Sequence, residues 1–149
     1  MILKCYDPGI TTGCAMVENE KYYFGQIDSK DLLLIYDDIS NSFSLTNPLV
    51  LGYEDFKHRP QIINTELYSL QVIGAIRLWA TLHGQPEPFC YLPAKAKAFW
   101  SDDKIKAIHL WQPGKKHAMD ALRVLLTYRM ENDKEWFKSI MGELRDNIR

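Results

Sequence analysis

Cysteine is scarce in this sequence and odd in number. The 149 residues include three, Cys5, Cys14 and Cys90, without Cys-x-x-Cys spacing. That argues against a disulfide framework and against a zinc site built on thiolates, and it fits reduced, mostly packed thiols. Long apolar runs are also missing. No segment approaches the roughly 20 apolar residues of a membrane span, and the start, MILKCYDPG, lacks the apolar stretch of a secretory signal. The expectation is a soluble, cytoplasmic protein with no membrane partner. Repeats, low-complexity tracts and long linkers are absent. A net charge of −1 gives no global sign of a nucleic-acid partner.

What is present suits one globular domain over 1–149. The composition, 46% hydrophobic and 25% charged, is ordinary for such a domain. A chain of this length buries roughly 70% of its unfolded surface, enough for a core without covalent staples. Charge is uneven, however. Between Pro93 and His117 six lysines (Lys95, Lys97, Lys104, Lys106, Lys115, Lys116) face two aspartates, and FKHRPQ, Phe56 to Gln61, is a second basic cluster. On charge alone, a solvated face and a phosphate-binding surface are equally good readings.

Hydrophobic patterning supplies the element order. Ile2 to Asp7 reads as a first strand closed by the turn DPGITTG, and CAMVENEKYYFGQI as two further strands joined at Glu18 to Lys21. SKDLLLIYDDIS predicts a short helix with Ser29 as N-cap. PLVLGYEDF, apolar and too short for most helices, predicts a buried strand. A long helix from Ile62 to His83 follows, then a strand in PFCYL, then a helix-prone stretch from Ala94 to Trp111. GKKHAMDALRVLLTYRM predicts a helix from about Lys116, and the tail 131–149 a last helix that is expected to be mobile. Three strands in a meander followed by alternating helices and strands predict an α/β mixed sheet, antiparallel then parallel, with helices on both faces.

Three acids fall at the ends or edges of these elements. Asp7 ends the first strand, where a turn-capping role competes with a functional one. Glu54 shares a strand face with Val50 and Gly52 by period two, which places its carboxylate near buried surface rather than at an exposed strand end. Asp120 borders the packed face set by Ala118, Ala121, Leu122, Leu125 and Leu126, with His117 three residues before it on the same side. The competing reading for Asp120 is a surface ion pair with Arg123 at i+3. Asp55 is a rival for Glu54 but projects from the opposite strand face.

Two carboxylates about 4 Å apart repel by roughly 4 kcal/mol at an effective dielectric near 20. Three gathered in one cleft therefore need a counter-charge. Oxygen donors suit Mg²⁺, which takes one or two protein carboxylates and completes its shell with waters and substrate phosphate oxygens. Such an ion activates water for in-line displacement at phosphorus.

ILKCYDPGITTGCAMV resembles the opening strand and turn of the RuvC family of Holliday-junction resolvases, YEDF its central-strand Glu followed by an aromatic, and HAMDALRV its final-helix HxxD-Ala motif. Order and spacing agree over roughly Met1 to Met130. The resemblance implies an RNase H-like fold, a homodimer, and Mg²⁺- or Mn²⁺-dependent nicking of branched DNA: four-way junctions, with forks and flaps as further candidates. It makes Asp7, Glu54 and Asp120 metal ligands and His117 the fourth site residue; His117 either ligates the metal or, since imidazole matches Mg²⁺ poorly, places water or the leaving group, with a purely structural histidine as the rival reading. Lys57, His58 and Arg59 after the catalytic strand, and Lys115 and Lys116 at the helix start, become DNA contacts. PAKAKAFWSDDK matches the family's Pro-x-x-Val-Lys segment only loosely.

Paired incisions need two sites in fixed orientation, which a two-fold dimer supplies. The expected interface is the long helix, through Leu67, Leu70, Ile73, Gly74, Leu78 and Trp79, with an entirely internal stripe as the competing reading. Two other classes stay open: a two-lobed phosphate-binding ATPase of the actin and hexokinase kind, for which one lobe is too few, and a catalytically silent branched-DNA-binding or adaptor protein on the same fold.

Overall fold

The computed structural model describes residues 1–28, 30–43, 48–55 and 65–147, with the side chains of Thr65 and Glu66 excepted. Its elements run β1 (Ile2–Asp7), β2 (Thr11–Glu18), β3 (Lys21–Asp28), α1 (Leu32–Ser40), β4 (Leu49–Glu54), α2 (Thr65–Leu82), β5 (Phe89–Tyr91), α3 (Pro93–Phe99), α4 (Asp102–Ala107), α5 (Lys116–Asn132) and α6 (Lys134–Asn147). The five strands form one sheet in the order β3-β2-β1-β4-β5.

The meander is built as its sequence suggests. β2 and β3 pair antiparallel out to Glu18 opposite Lys21. Between them Asn19 and Glu20 both take positive φ, 48° and 61°, the two-residue turn whose twist matches the flanking strands. β1 pairs antiparallel with β2 and parallel with β4, and β5 adds in parallel to β4. Parallel strands buried on both faces need helices on both sides, and they have them.

Alternation along β1 divides the core. Ile2 and Tyr6 face α1 and α2 in a cluster with Leu51, Tyr53, Ile76 and Trp79. Leu3 and Cys5 face α5 in a second cluster with Trp100, Ile105, Leu122 and Leu125. Lys4 belongs by period to the first face and is buried there. Its Nζ is held by the Asp38 carboxylate, the Asp38 carbonyl and Ser42 Oγ, each at 2.8 Å. The Tyr6 hydroxyl donates to the same Asp38 at 2.9 Å, so β1 and α1 are tied by charge as well as by apolar packing.

Several elements differ from their sequence-based expectation. α1 begins at Asp31, whose side chain accepts from Leu33 N at 2.9 Å; Ser29 lies outside the described residues. The basic stretch 94–111 is two helices, not one. The chain breaks at Trp100, and Ser101 restarts it as N-cap of α4, accepting from Lys104 N. At the break Trp100 is fully buried and its backbone, φ −90° and ψ 76°, leaves the helical region. Trp79, expected at a subunit interface, is completely buried and donates its indole N–H to Ser40 Oγ at 2.8 Å. The tail helix α6 packs on the core: Leu144 is buried, Trp136, Ile140 and Met141 lie against the same cluster, and Asn147 donates to the Ala107 carbonyl. The expected start of the long helix at Ile62 lies outside the described residues. Cys5 and Cys14 are buried and Cys90 is exposed, all three unpaired. Among the described residues no helix is long and apolar enough to cross a membrane.

Candidate active site

The site lies where the carboxyl ends of β1 and β4 meet the first turns of α5. Asp7 is the last residue of β1 and follows Leu3 and Cys5 onto the α5 side. The turn after it is held internally by Thr12 Oγ1 donating to the Gly9 carbonyl, and pinned to α2 by Ser69 Oγ donating to the Pro8 carbonyl at 2.8 Å. Glu54 is the last residue of β4, one position beyond the Tyr6–Tyr53 pair that registers the two parallel strands. Asp7 and Glu54 thus occupy neighbouring strand ends.

α5 reaches them because Gly13 has no side chain. A Cβ there would stand 2.0 Å from the carbonyl carbon of His117 and 2.6 Å from Ala118 N. Backbone against backbone, the first turn of α5 lies on β2 at the residue paired with Asp7. His117 Nδ1 and Asp7 Oδ2 are consequently 2.8 Å apart. One turn further along, Asp120 is 6% exposed and turned to the same region.

The Asp120–Arg123 pair expected on the surface exists, but it is buried. Arg123, 7% exposed, donates from Nη1 to Asp120 Oδ1 at 2.7 Å, from Nε to the Trp100 carbonyl at 3.0 Å, and from Nη2 to Asp102. Lys97 of α3 places Nζ 3.2 Å from the same Asp120 oxygen. Lys97 is the site member that sequence reasoning missed, and for Arg123 it missed the burial. For Lys97 a signal existed: Ala96 and Trp100 mark the inward stripe of that segment, and Lys97 stands at its edge.

Burial dominates the electrostatics. It lifts the Glu54 carboxyl from its usual 4.5 to about 7, with Asp7 and Asp120 raising it further and Lys97 and Arg123 opposing. Asp7 is raised by the same cause, against which its hydrogen bond to His117 works. Glu54 Oε2 is buried with no hydrogen-bond partner among the described residues. An orphaned carboxylate oxygen beside two more acids has the chemistry of a divalent-cation ligand, so the donor set fits Mg²⁺ or Mn²⁺. The side chains are nevertheless not drawn into one shell: among the described residues no three Asp, Glu, His or Cys stand close enough to hold an ion together. Instead, Asp7 is engaged by His117, and Asp120 by Arg123 and Lys97.

The remaining expected residues divide. Asp55 lies on the other face, where its charge acts on Tyr53. Lys115 occupies the N-cap of α5 without capping it by its side chain, and both Lys115 and Lys116 are exposed. Lys57, His58 and Arg59 lie outside the described residues.

This architecture, a meander extended by parallel strands with helices on both faces and acids at the strand ends, is an RNase H-like α/β fold. Its RuvC version is represented among solved structures. Thermus thermophilus RuvC in complex with a Holliday junction substrate superposes with a TM-score of 0.68, at 18% identity over 89% of this chain and 96% of that one. A second structure of Thermus thermophilus RuvC gives 0.62, at 18% identity over 85% and 92%. No protein-family model and no curated protein sequence matches the chain. The shared fold is the one implied by the sequence motifs.

The Glu54 environment has a measurable consequence. The folded protein keeps a proton that the unfolded chain releases near 4.5, so without divalent ions stability falls as pH rises from about 4.5 to 7. Urea unfolding of wild type and Glu54→Gln across that window is expected to show a loss in wild type that the variant largely lacks.

Proposed function

We propose that the chain is a metal-dependent, structure-selective endodeoxyribonuclease that resolves Holliday junctions or other branched DNA by paired hydrolytic nicks. The observation that carries this reading is the convergence of Asp7, Glu54, His117 and Asp120, with one buried carboxylate oxygen left unsatisfied. The fold shared with a RuvC structure solved on a Holliday junction substrate supports the DNA class.

Asp7, Glu54 and Asp120 would hold Mg²⁺, with Mn²⁺ as a substitute, and the bound ion would supply counter-charge and a polarised water. The protein's own part begins with His117. With Asp7 ionised, the proton between them resides on Nδ1, so Nε2 keeps its lone pair for orienting the attacking water or serving the leaving oxygen. Its side chain is 44% exposed, open to substrate. Glu54, titrating near 7, changes charge in the neutral range, so its occupancy by a proton or a cation is set by small changes in surroundings. Lys115 and Lys116 beside His117, and Lys57, His58 and Arg59, which follow β4 in the sequence, would position phosphates without reading sequence.

For the assembly we retain the α2 face without Trp79. Leu67, Leu70, Leu78 and Leu82 are all exposed on it, Leu78 by 60%, and Leu33 and Tyr36 of α1 lie exposed alongside. That face would join two copies and fix two sites for paired cuts.

One observation favours the silent DNA-binding alternative: Lys97 and Arg123 already neutralise Asp120. Cleavage of a labelled four-way junction decides between them. With Mg²⁺, wild type is expected to nick it; Asp7→Asn or Asp120→Asn should lower the rate at least about 10²–10³-fold while junction affinity stays near wild type. His117→Ala should cost about 10²-fold. No metal-dependent cleavage by wild type, or full cleavage by either Asn variant, would contradict the assignment.

Sedimentation at micromolar concentration checks the dimer. Wild type is expected to sediment as a two-fold pair and Leu78→Glu as a monomer; a strictly monomeric wild type, with and without DNA, would remove α2 from the model.

A further inference from the structure

A cavity of about 620 Å³ opens beside the acids, between the α3–α4 elbow and the loop that enters α5. Its walls include Trp100, Trp111 and Met119, with Lys97, Gln112 and Arg123 among the polar groups, and it shares Asp120 with the candidate active site. The volume is in the range of small-ligand pockets. Trp100 and Met119 are sealed behind this lining, and the partly exposed indole of Trp111 is the flat, polarizable surface against which a planar heterocycle gains most.

Two polar groups in these walls lack partners. Trp100 is completely buried, yet its indole N–H finds no acceptor among the described residues. Gln112 spends its backbone N–H on Met119 Sδ at 3.4 Å, while its side-chain amide makes no hydrogen bond among the described residues. A buried donor without an acceptor costs free energy, and an amide offers both a donor and an acceptor to whatever enters. Lys116 in the same lining is exposed, and Lys97 beside it is paired with Asp120. Gly114, with φ of +76° and nothing within 4 Å of a would-be Cβ, leaves its side of the loop open.

We propose that this cavity receives one unstacked nucleobase of the strand being cut, from a nucleotide next to the scissile phosphate, stacked on Trp111 and read along its edge by the Gln112 amide. The proposal rests on the nuclease reading and adds a specificity determinant to it. Extruding a base from a regular duplex costs stacking and pairing energy, and the cost is least where the duplex is already interrupted. A pocket of this kind therefore favours branched DNA over linear duplex without any contact to the branch itself.

The test uses four-way junctions randomised around the exchange point, with Mg²⁺, and nick positions mapped by sequencing; junction affinity is measured separately in EDTA. Trp111→Ala is expected to lower the nicking rate at saturating DNA about 10- to 100-fold with affinity changed less than about threefold, and Trp111→Phe to restore most of the rate. Gln112→Ala, a truncation outside the core, is expected to keep at least a third of the rate and flatten the base preference at one position about fivefold or more. A wild-type nick map without base preference, or variants that reproduce the wild-type map and rate, would overturn the pocket assignment alone. Wild type that cuts no junction would overturn the nuclease reading and this proposal with it.

Discussion

Between Gly13 and the first turn of α5 there is no room for a side chain, and the site depends on that contact. Gly13 is the register partner of Asp7, so the helix that touches one is delivered to the other. His117 arrives at hydrogen-bond distance from Asp7, and the helical repeat then carries Asp120 inward by one turn. The helix is buried on almost every side from Ala118 to Thr127, packed between the sheet and α3 and α6, and it has little freedom to shift. Three of the four candidate side chains, Asp7, His117 and Asp120, are brought together by one close approach of two backbones.

The same contact creates an electrostatic problem that the fold solves only in part. Asp7, Glu54 and Asp120 are drawn into a partly desolvated corner, where ionised carboxylates are costly. Arg123 and Lys97 offset the charge of Asp120, and His117 engages Asp7. Glu54 is left with a buried oxygen unpaired and a proton held to about pH 7. A structural ion-pair network would have satisfied that oxygen, as the Lys4–Asp38 network on the opposite face satisfies its members. The imbalance sits at the strand ends, the place where sheets of this class meet ligands.

Much of this was legible in the sequence. The order of elements along the chain followed from short apolar runs and the turn residues between them, and Asp7, Glu54, His117 and Asp120 could be named because each ends an element or borders a helix face of clear period. Tertiary effects were less visible. The i+3 spacing of Asp120 and Arg123 showed a pair but not its depth, to which the distant α3–α4 segment contributes through the Trp100 carbonyl that accepts from Arg123 Nε. The break at Trp100 and Ser101 was hidden because both halves have helical composition. Trp79 could not be told from its exposed leucine neighbours, since α2 has apolar residues around most of its circumference and only α1 decides which of them are covered. Lys97 stands at the edge of a legible inward stripe, but its pairing with Asp120 on α5 is tertiary and no local pattern encodes it.

The decisive experiment is a calorimetric titration of Mn²⁺ into the protein near pH 6.5, repeated in buffers of different ionisation heat so that proton release is counted. If the three acids form an ion site, wild type binds Mn²⁺ in the millimolar range or tighter and releases a proton, Glu54→Gln binds more weakly without that release, and Asp120→Asn loses most of the binding. Wild type that takes up no Mn²⁺, or variants that bind it with the same affinity and the same proton release, would contradict the assignment of the acid cluster.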